Sequence, residues 1–141
     1  MKLVRDVMQK DVATLEAGDH LDLADDVMRL GRIRHMPVVE QDRLVGILSQ
    51  RDLFRAGISS VLRFRAAAER EWLAKIAVSE MMVAPVVSIA PDRSLREAVA
   101  LMLEKRIGCL AVVEGDALVG LLSESDLLRC LDGLLAAEAG D

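Results

Sequence analysis

The stretch Val38–Leu53 reads V-V-E-Q-D-R-L-V-G-I-L-S-Q-R-D-L, and it returns as V-V-E-G-D-A-L-V-G-L-L-S-E-S-D-L at Val112–Leu127. The match extends in both directions from this stretch. At an offset of 74 positions, residues 4–57 align with residues 78–131 without a gap, and 20 of the 54 pairs are identical. Two copies are too few for a solenoid, which needs at least about three repeats. The chain is therefore predicted to fold as two similar halves related by a pseudo-twofold axis.

Size, charge and hydropathy exclude several classes of protein. The chain has 141 residues, 52% of them hydrophobic, and a net charge of −5. No apolar run reaches the ~18–20 residues of a membrane span. The N-terminus, Met1–Asp6, carries charges where a signal peptide has its apolar core, so we expect a cytoplasmic protein without a membrane partner. Nucleic acid is an improbable partner, because the chain is acidic and has no Tyr for base stacking.

Residues suited to metal binding or catalysis are sparse. Cys109 and Cys130 form no C-x-x-C pair, and in a reducing compartment they are expected to be free thiols. His20 and His35 lie far apart and belong to no zinc-binding pattern, so no metal site is predicted. No set of nucleophile, base and orienting residue can be assembled, and the chain is not expected to be an enzyme.

The first half of each repeat is predicted to be a short strand followed by a helix. In repeat 1, Val12–Leu15 suits a strand, and the apolar positions between Leu21 and Leu30 follow helical spacing. Gly31 is expected to end this helix. In repeat 2, Val86–Ile89 is the equivalent strand, and the S-x-x-E pattern that begins at Ser94 predicts a capping box for the helix after it.

The second half of each repeat is predicted to be a β-hairpin followed by a helix. Met36–Glu40 and Leu44–Leu48 are β-rich runs around a short polar turn, and Ser49 opens a helix predicted from Gln50 to about Ala56. Repeat 2 has the same pattern. The order β-α-β-β-α in both repeats defines an α/β (α+β) fold.

The domain boundaries follow from the repeats. Residues 1–57 are assigned to repeat 1 and residues 78–133 to repeat 2, and the two repeats are expected to form one compact domain. The last helix is expected to fade near Leu131, which leaves residues 134–141 as a frayed, Ala-rich tail. Residues 58–77 have no counterpart and are predicted to form a helical linker between the repeats.

The predicted linker helix is amphipathic, with Phe64 and Trp72 on its apolar face. One interpretation is that this face covers the core of the domain itself. The other is that it forms a homodimer contact, because aromatic residues are enriched at protein interfaces.

Taken together, these motifs resemble the paired cystathionine-β-synthase (CBS) domain, a two-repeat unit called a Bateman module. The matching features are V-x-x-V-M at Val4–Met8, I-R-H-M-P-V-V at Ile33–Val39, and L-V-G-I-L-S-x-x-D-L at Leu44–Leu53, each with a second copy. The resemblance implies a β-α-β-β-α fold for each repeat, two clefts between the repeats, and a homodimer of two such pairs. It also implies an adenosine-containing ligand, AMP, ADP or ATP above all, with S-adenosylmethionine or NAD as other options, and no obligatory cofactor.

The resemblance also implies which residues hold this ligand. The acid of the family's G-h-h-[ST]-x-x-D motif accepts hydrogen bonds from the ribose hydroxyls, and Asp52 and Asp126 match that acid. Ser49 and Ser123 stand before helices whose N-termini suit a phosphate. The full set of candidate ligand-binding residues is Ala13, Thr14, Arg34, His35, Met36, Pro37, Ser49, Arg51, Asp52, Val87, Ser88, Cys109, Leu110, Ser123 and Asp126.

The two copies of this set differ in charge. Repeat 1 has cations suited to phosphate at Arg34, His35 and Arg51. Repeat 2 has uncharged residues at the aligned positions, namely Gly108, Cys109 and Ser125. We therefore expect one stronger site, at Ser49 and Asp52, and one weaker or adenosine-type site, at Ser123 and Asp126.

Structural roles compete with some of these assignments. Ser49-x-x-Asp52 and its second copy are also good helix-capping sequences, and the two roles can coexist. Gly46 and Gly120 more simply indicate a bulge or close packing. The leading functional prediction is a regulatory sensor of adenosine nucleotides that changes conformation on binding in the inter-repeat cleft. The alternative is a structural module for homodimerisation or for docking on a client protein.

Overall fold

The structure is a computed structural model that describes residues 2–61 and 66–140. It confirms the predicted α/β class and the β-α-β-β-α order of both repeats. Its elements in chain order are α1 (Val4–Val7), β1 (Leu15–Glu16), α2 (Leu21–Gly31), β2 (His35–Glu40), β3 (Arg43–Ser49), α3 (Gln50–Val61), α4 (Ala66–Leu73), α5 (Val78–Met81), β4 (Ser88–Ile89), α6 (Leu95–Lys105), β5 (Cys109–Glu114), β6 (Ala117–Ser123) and α7 (Glu124–Ala139).

Two antiparallel hairpins of the same register form the framework of the fold. In the first, β2 pairs with β3 so that His35 lies opposite Ser49 and Val38 opposite Gly46. In the second, β5 pairs with β6 with the equivalent partners. Both hairpins shift register one step after the glycine pair, at Val38/Val39 and Val112/Val113. The bulge or close packing expected at the two strand glycines is therefore present.

The chain divides into two compact units that do not coincide with the sequence repeats. The central unit consists of Ala13–Val86, and the terminal unit consists of Met1–Val12 together with Val87–Asp141. Each unit has a short strand parallel to the first strand of its hairpin: β1 pairs with β2, and β4 with β5. The segment that precedes each repeat's first strand therefore belongs to the unit built around the other repeat.

Backbone hydrogen bonds hold these exchanged segments in equivalent places. In the terminal unit, the N–H of Gln9 donates to the carbonyl of Leu121 at 2.8 Å, and the N–H of Leu121 donates to the carbonyl of Gln9 at 3.0 Å. In the central unit, Val83 and Ile47 exchange the same pair of bonds at 2.8 and 3.1 Å. Gln9 aligns with Val83 and Leu121 with Ile47 at the 74-residue offset, so the two units repeat this connection.

Helix α2 ends at Gly31, as the sequence predicted, and both α2 and α6 are followed by a residue in the left-handed conformation. Gly31 is the last helical residue, and Arg32 adopts the left-handed conformation with a φ of 53°. Arg106 does the same after α6, with a φ of 55°. The N–H of Ile33 then donates to the carbonyl of Met28 at 3.1 Å, which satisfies a helix-end carbonyl and turns Ile33 toward the core.

Two other helices run further than the sequence predicted. Helix α7 continues past Leu131 to Ala139, because Ala, Leu and Glu are strong helix formers and Gly133 costs only about 1 kcal/mol. Helix α3 continues past residue 56 to Val61, and α4 follows at Ala66–Leu73. Phe64, which was predicted to lie on the apolar face of the linker, falls outside the described residues.

Each unit has its own hydrophobic core. The central core contains Leu15, Leu21, Met36 and Leu48, none of which is more than 2% exposed. The terminal core is built around four fully buried residues, which are Val4, Leu110, Val112 and Leu122. Burial of one such side chain stabilises a fold by about 1.5–3 kcal/mol. The hairpins and helix starts that carry the candidate site are therefore anchored in well-packed cores.

Candidate functional site

Ser49 and Asp52 form a reciprocal cap at the start of α3. The N–H of Ser49 donates to Oδ2 of Asp52 at 2.8 Å, and the Ser49 hydroxyl donates to the same oxygen at 2.9 Å. The N–H of Asp52 donates back to Ser49 Oγ at 3.1 Å. The capping role that the sequence allowed for this pair is thus confirmed, and it uses only one of the two carboxylate oxygens of Asp52.

Ser123 and Asp126 form the same cap at the start of α7. Ser123 donates to Asp126 Oδ2 from its N–H at 2.8 Å and from its hydroxyl at 3.0 Å. The N–H of Asp126 returns a longer bond to Ser123 Oγ at 3.4 Å. Both aspartates are buried, with exposures of 7% for Asp52 and 3% for Asp126.

The two aspartates differ at their second oxygen. Oδ1 of Asp126 accepts a hydrogen bond from Gln9 Nε2 at 2.9 Å and an ion-paired hydrogen bond from Arg129 at 2.6 Å. Oδ1 of Asp52 has no hydrogen-bond partner among the residues that the structure describes. In this part of the chain, no buried polar side-chain atom lacks a partner, so Oδ1 of Asp52 must reach solvent.

The surroundings of Asp126 stabilise its charged form. Burial alone would raise the pKa of this carboxyl, but the hydrogen bonds from Gln9, Ser123 and Arg129 outweigh burial and hold the pKa below its ordinary value. Asp126 is therefore an ionised carboxylate at neutral pH, with every donor supplied by the protein itself.

The central unit brings several of the predicted site residues to one end of its hairpin. His35 pairs with Ser49 in the sheet, and the carbonyl of Arg34 accepts a hydrogen bond from the N–H of Gln50 at 2.8 Å. Leu15 pairs with Val38, so the preceding residues, Thr14 and Pro37, lie at the same end of the two parallel strands.

The candidate residues of the central unit differ in exposure, with His35 and Ser49 partly buried. The exposed group is Ala13, Thr14, Arg34 and Arg51. Met36 and Pro37 are buried and belong to the framework behind them. These exposed residues therefore lie at the same end of the hairpin as the Ser49–Asp52 cap.

The terminal unit repeats this arrangement without the cations. Cys109 pairs with Ser123, Ser88 pairs with Ala111, and the N–H of Glu124 donates to the carbonyl of Gly108 at 3.0 Å. Ser88 is exposed and Val87 partly buried, whereas Cys109 and Leu110 are buried. Burial, with the negative charge of Asp126 as a smaller cause, raises the pKa of the Cys109 thiol to about 12, so this thiol is not a nucleophile at neutral pH.

The CBS domain family model matches the chain twice, at residues 4–59 and 78–133. The chain belongs to the CBS domain family. Among its relatives, the CBS domain-containing protein YhcV of Bacillus subtilis is 33% identical over 127 residues, which are 90% of this chain and 84% of YhcV. The CBS repeats also match part of a longer enzyme, a homoserine O-acetyltransferase of Methanohalobium evestigatum. The two sequences are 29% identical over 131 residues, which are 92% of this chain and 24% of the enzyme.

Solved structures of CBS proteins have the same fold. The Vibrio cholerae protein AcuB, assigned to acetoin utilization, has a TM-score of 0.81 and 34% identity, with 100% of this chain and 98% of that chain covered. The CBS domain pair of protein MJ0100, solved with 5-methylthioadenosine and S-adenosyl-L-methionine, has a TM-score of 0.80 and 22% identity over 94% of this chain and 98% of that one. CBSX2, solved with AMP, has a TM-score of 0.78 and 20% identity over 95% and 98% of the two chains.

Gln9 and Arg129 are the site residues that sequence reasoning missed. By the repeat alignment, Gln9 belongs to repeat 1, the CBS repeat that contains Asp52. In the structure, the exchange of segments places Gln9 in the terminal unit, where it contacts Asp126, 117 residues further along the chain. The only signal in the sequence is that Gln9 aligns with the apolar Val83 while the residues around it match well. Arg129 gives no such signal, because Arg55 occupies the aligned position.

Among residues 2–61 and 66–140, no helix is long and apolar enough to cross a bilayer. In the same residues, no group of three or more His, Cys, Asp or Glu side chains is arranged to hold a metal ion.

Proposed function

We propose that this CBS pair is a regulatory sensor that binds an adenosine-containing ligand, AMP, ADP or ATP in the first instance, through Asp52. The observation that carries the proposal is the divided role of this carboxylate. Oδ2 caps α3, while Oδ1 has no partner among the described residues and reaches solvent. A ribose offers two vicinal hydroxyl donors, and a charged acceptor forms stronger hydrogen bonds with such donors than a neutral one does.

The phosphate end of the ligand is assigned to the cations around this helix start. Arg34 and Arg51 are exposed near the N-terminus of α3, and His35 lies opposite Ser49. Helix N-terminal N–H groups and guanidinium groups both favour phosphate oxygens. Solved structures of CBS proteins with AMP or with methylthioadenosine and S-adenosyl-L-methionine support an adenosine-containing ligand. S-adenosylmethionine and NAD therefore remain in the ligand class to be tested.

Regulation follows from differential binding. A ligand shifts a protein between two arrangements only by the difference in its affinity for them. Because the candidate site is formed by the ends of a hairpin and a helix, the ligand binds tighter to whichever arrangement presents Asp52 and the cations together. The output of the sensor then passes through a partner subunit or a client protein.

The test is isothermal titration and thermal shift with AMP, ADP, ATP, S-adenosylmethionine and NAD, each with and without magnesium. A native-state ligand at about 100 times its Kd adds roughly 2.7 kcal/mol to the free energy of unfolding. Asp52→Asn is expected to weaken binding at least about tenfold, since it replaces the charged acceptor but keeps the shape of the cap. Glu40→Gln, an exposed carboxylate near the hairpin turn, is the control. No response to any ligand at millimolar concentration, or equal affinity in Asp52→Asn, would overturn the proposal.

A second candidate function is association, and exposed aromatic residues in the central unit favour it. Trp72 in α4 is 40% exposed and Phe54 in α3 is 65% exposed. Large aromatic side chains left in water are typical of interfaces, and a homodimer is the simplest partner. Light scattering of the wild type and of Trp72→Ala tests this function. A dimer that dissociates in the variant supports it, and a wild-type monomer at high micromolar concentration rejects it.

A further inference from the structure

We infer that the hydrogen bond from Gln9 occupies an acceptor site of the second aspartate, Asp126, and thereby prevents this carboxylate from binding a ribose. The chain then has one ligand-binding carboxylate instead of two. The inference rests on the proposed function, because it concerns which of the two repeated carboxylates can take the same ligand. It goes beyond the charge difference between the repeats, since it locates the asymmetry at a single amide on a segment outside both hairpins.

Gln9 and Val83 occupy the same backbone position in their units. Each exchanges two backbone hydrogen bonds with the middle of a hairpin strand, Gln9 with Leu121 and Val83 with Ile47. The four distances lie between 2.8 and 3.1 Å. Only the side chain at this position differs in kind, a primary amide in one unit and an isopropyl group in the other.

The two carboxylates differ in the number of hydrogen bonds that they accept. A carboxylate has about four acceptor sites. Asp126 accepts four bonds: two from Ser123, one from Gln9 and one from Arg129. Asp52 accepts two, both from Ser49, among the residues that the structure describes. A ribose diol needs two acceptor sites, which Asp52 has and Asp126 does not.

The two donors to Oδ1 of Asp126, Gln9 and Arg129, differ in how they are repeated. An arginine follows both aspartates at the same spacing, Arg55 after Asp52 and Arg129 after Asp126. Arg55 forms no hydrogen bond with Asp52 within the described part of the chain. The side chain of Arg129 is 65% exposed and reaches an aspartate whose side chain is only 2% exposed, but an arginine stands at this position in both units, whereas an amide stands at the position of Gln9 in only one of them. Gln9 is therefore the residue that distinguishes the two carboxylates.

The experiment is a reciprocal exchange of the two aligned residues. Calorimetric titration with AMP as the probe measures stoichiometry and Kd for the wild type, Gln9→Val, Val83→Gln and the double exchange. The wild type is expected to bind one AMP per chain. Gln9→Val is expected to add a second site, or to tighten a weak one by about tenfold, which corresponds to one charged hydrogen bond. Val83→Gln is expected to weaken the first site by a similar factor.

The controls separate failure of this inference from failure of the proposed function. Circular dichroism and thermal melting establish that each variant is folded, and Gln9→Met, which keeps the length of the side chain but not the amide, repeats the test with a different residue. One-site binding that Asp52→Asn abolishes, with no second site in Gln9→Val or Gln9→Met, overturns the role of Gln9 and leaves the proposed function intact. Absence of binding in the wild type and in all variants, with AMP and then with ADP, ATP, S-adenosylmethionine and NAD, overturns both. A second site in Gln9→Val that Asp126→Asn removes supports the inference directly.

Discussion

The N–H of Ser49 donates to Asp52 at 2.8 Å and the N–H of Asp52 donates back to Ser49 Oγ at 3.1 Å. The side chain of each residue therefore accepts the hydrogen bond of the other residue's backbone N–H. The carboxylate proposed to hold the ligand is thereby fixed by the helix that it caps. Its orientation is set before any ligand arrives, which lowers the entropic cost of binding.

We predict that Ser49→Ala lowers the free energy of unfolding by about 1 kcal/mol, because it removes the hydroxyl's hydrogen bond to the Asp52 carboxylate and the acceptor of the Asp52 N–H at a helix start. Ser123→Ala is expected to have an effect of similar size, since its cap has the same geometry. Urea denaturation measures both changes. Ser79→Ala, at an exposed position in α5, is the matched control. An unchanged midpoint in Ser49→Ala contradicts the cap.

The lowered pKa of Asp126 predicts that this residue contributes to the loss of stability in acid. A carboxyl whose pKa is lower in the folded than in the unfolded state stabilises the fold above its unfolded pKa of about 4, and this stabilisation is lost as the pH falls through the folded value. The free energy of unfolding is therefore expected to fall from pH 5 to pH 2.5, and to fall less steeply in Asp126→Asn. Urea titrations at four pH values measure the slopes, and equal slopes reject the prediction.

The two thiols are predicted to react at very different rates. Cys109 is buried and its pKa is raised to about 12, whereas Cys130 is only partly buried. Because the thiolate is the reactive form, one thiol per native chain is expected to react quickly with an aromatic disulfide reagent at pH 8. Cys130→Ser removes this fast phase and Cys109→Ser leaves it. A fast phase that persists in Cys130→Ser contradicts the burial of Cys109.

The two strand glycines are predicted to tolerate alanine unequally. A Cβ at Gly120 would lie 2.6 Å from the backbone carbonyl oxygen of Gln9, whereas a Cβ at Gly46 would meet only the side chain of Met82, which can move. Gly120→Ala is therefore expected to cost about 1–3 kcal/mol and more than Gly46→Ala. Gly133→Ala is the control of opposite sign: nothing lies near its Cβ position in α7, and it should stabilise by up to about 1 kcal/mol. Thermal melting of the three variants gives the order.

Much of the fold could be predicted because its signals are local. The β-rich runs around Gln41-Asp42 predicted the first hairpin, and the structure has both turn residues at positive φ, 52° and 63°. The Ser-x-x-Asp spacing predicted the caps, because the two residues of each cap are only three positions apart in the sequence. The prediction that α7 ends near Leu131 was wrong, because composition alone does not show how far an exposed Leu- and Ala-rich helix continues past a glycine.

The asymmetry of the two aspartates could not be predicted in full, because it depends on contacts between distant parts of the chain. The missing cations of repeat 2 were visible in the sequence at Gly108 and Ser125. The hydrogen bond from the Gln9 amide to Asp126 could not be predicted, since Asp126 lies in the other repeat and no sequence pattern marks the exchange of segments. Whether a carboxylate has spare acceptor sites is a property of the folded structure.

The exchanged segments also bear on how such a chain arises. A lone ancestral repeat with this geometry would carry, ahead of its first strand, a segment that completes another copy and not itself. Two such chains would have to swap these segments reciprocally to fold, as in a domain-swapped dimer. Gene duplication and fusion place both copies in one polypeptide, and from that moment Gln9 and Val83 are free to diverge, which identical subunits do not allow.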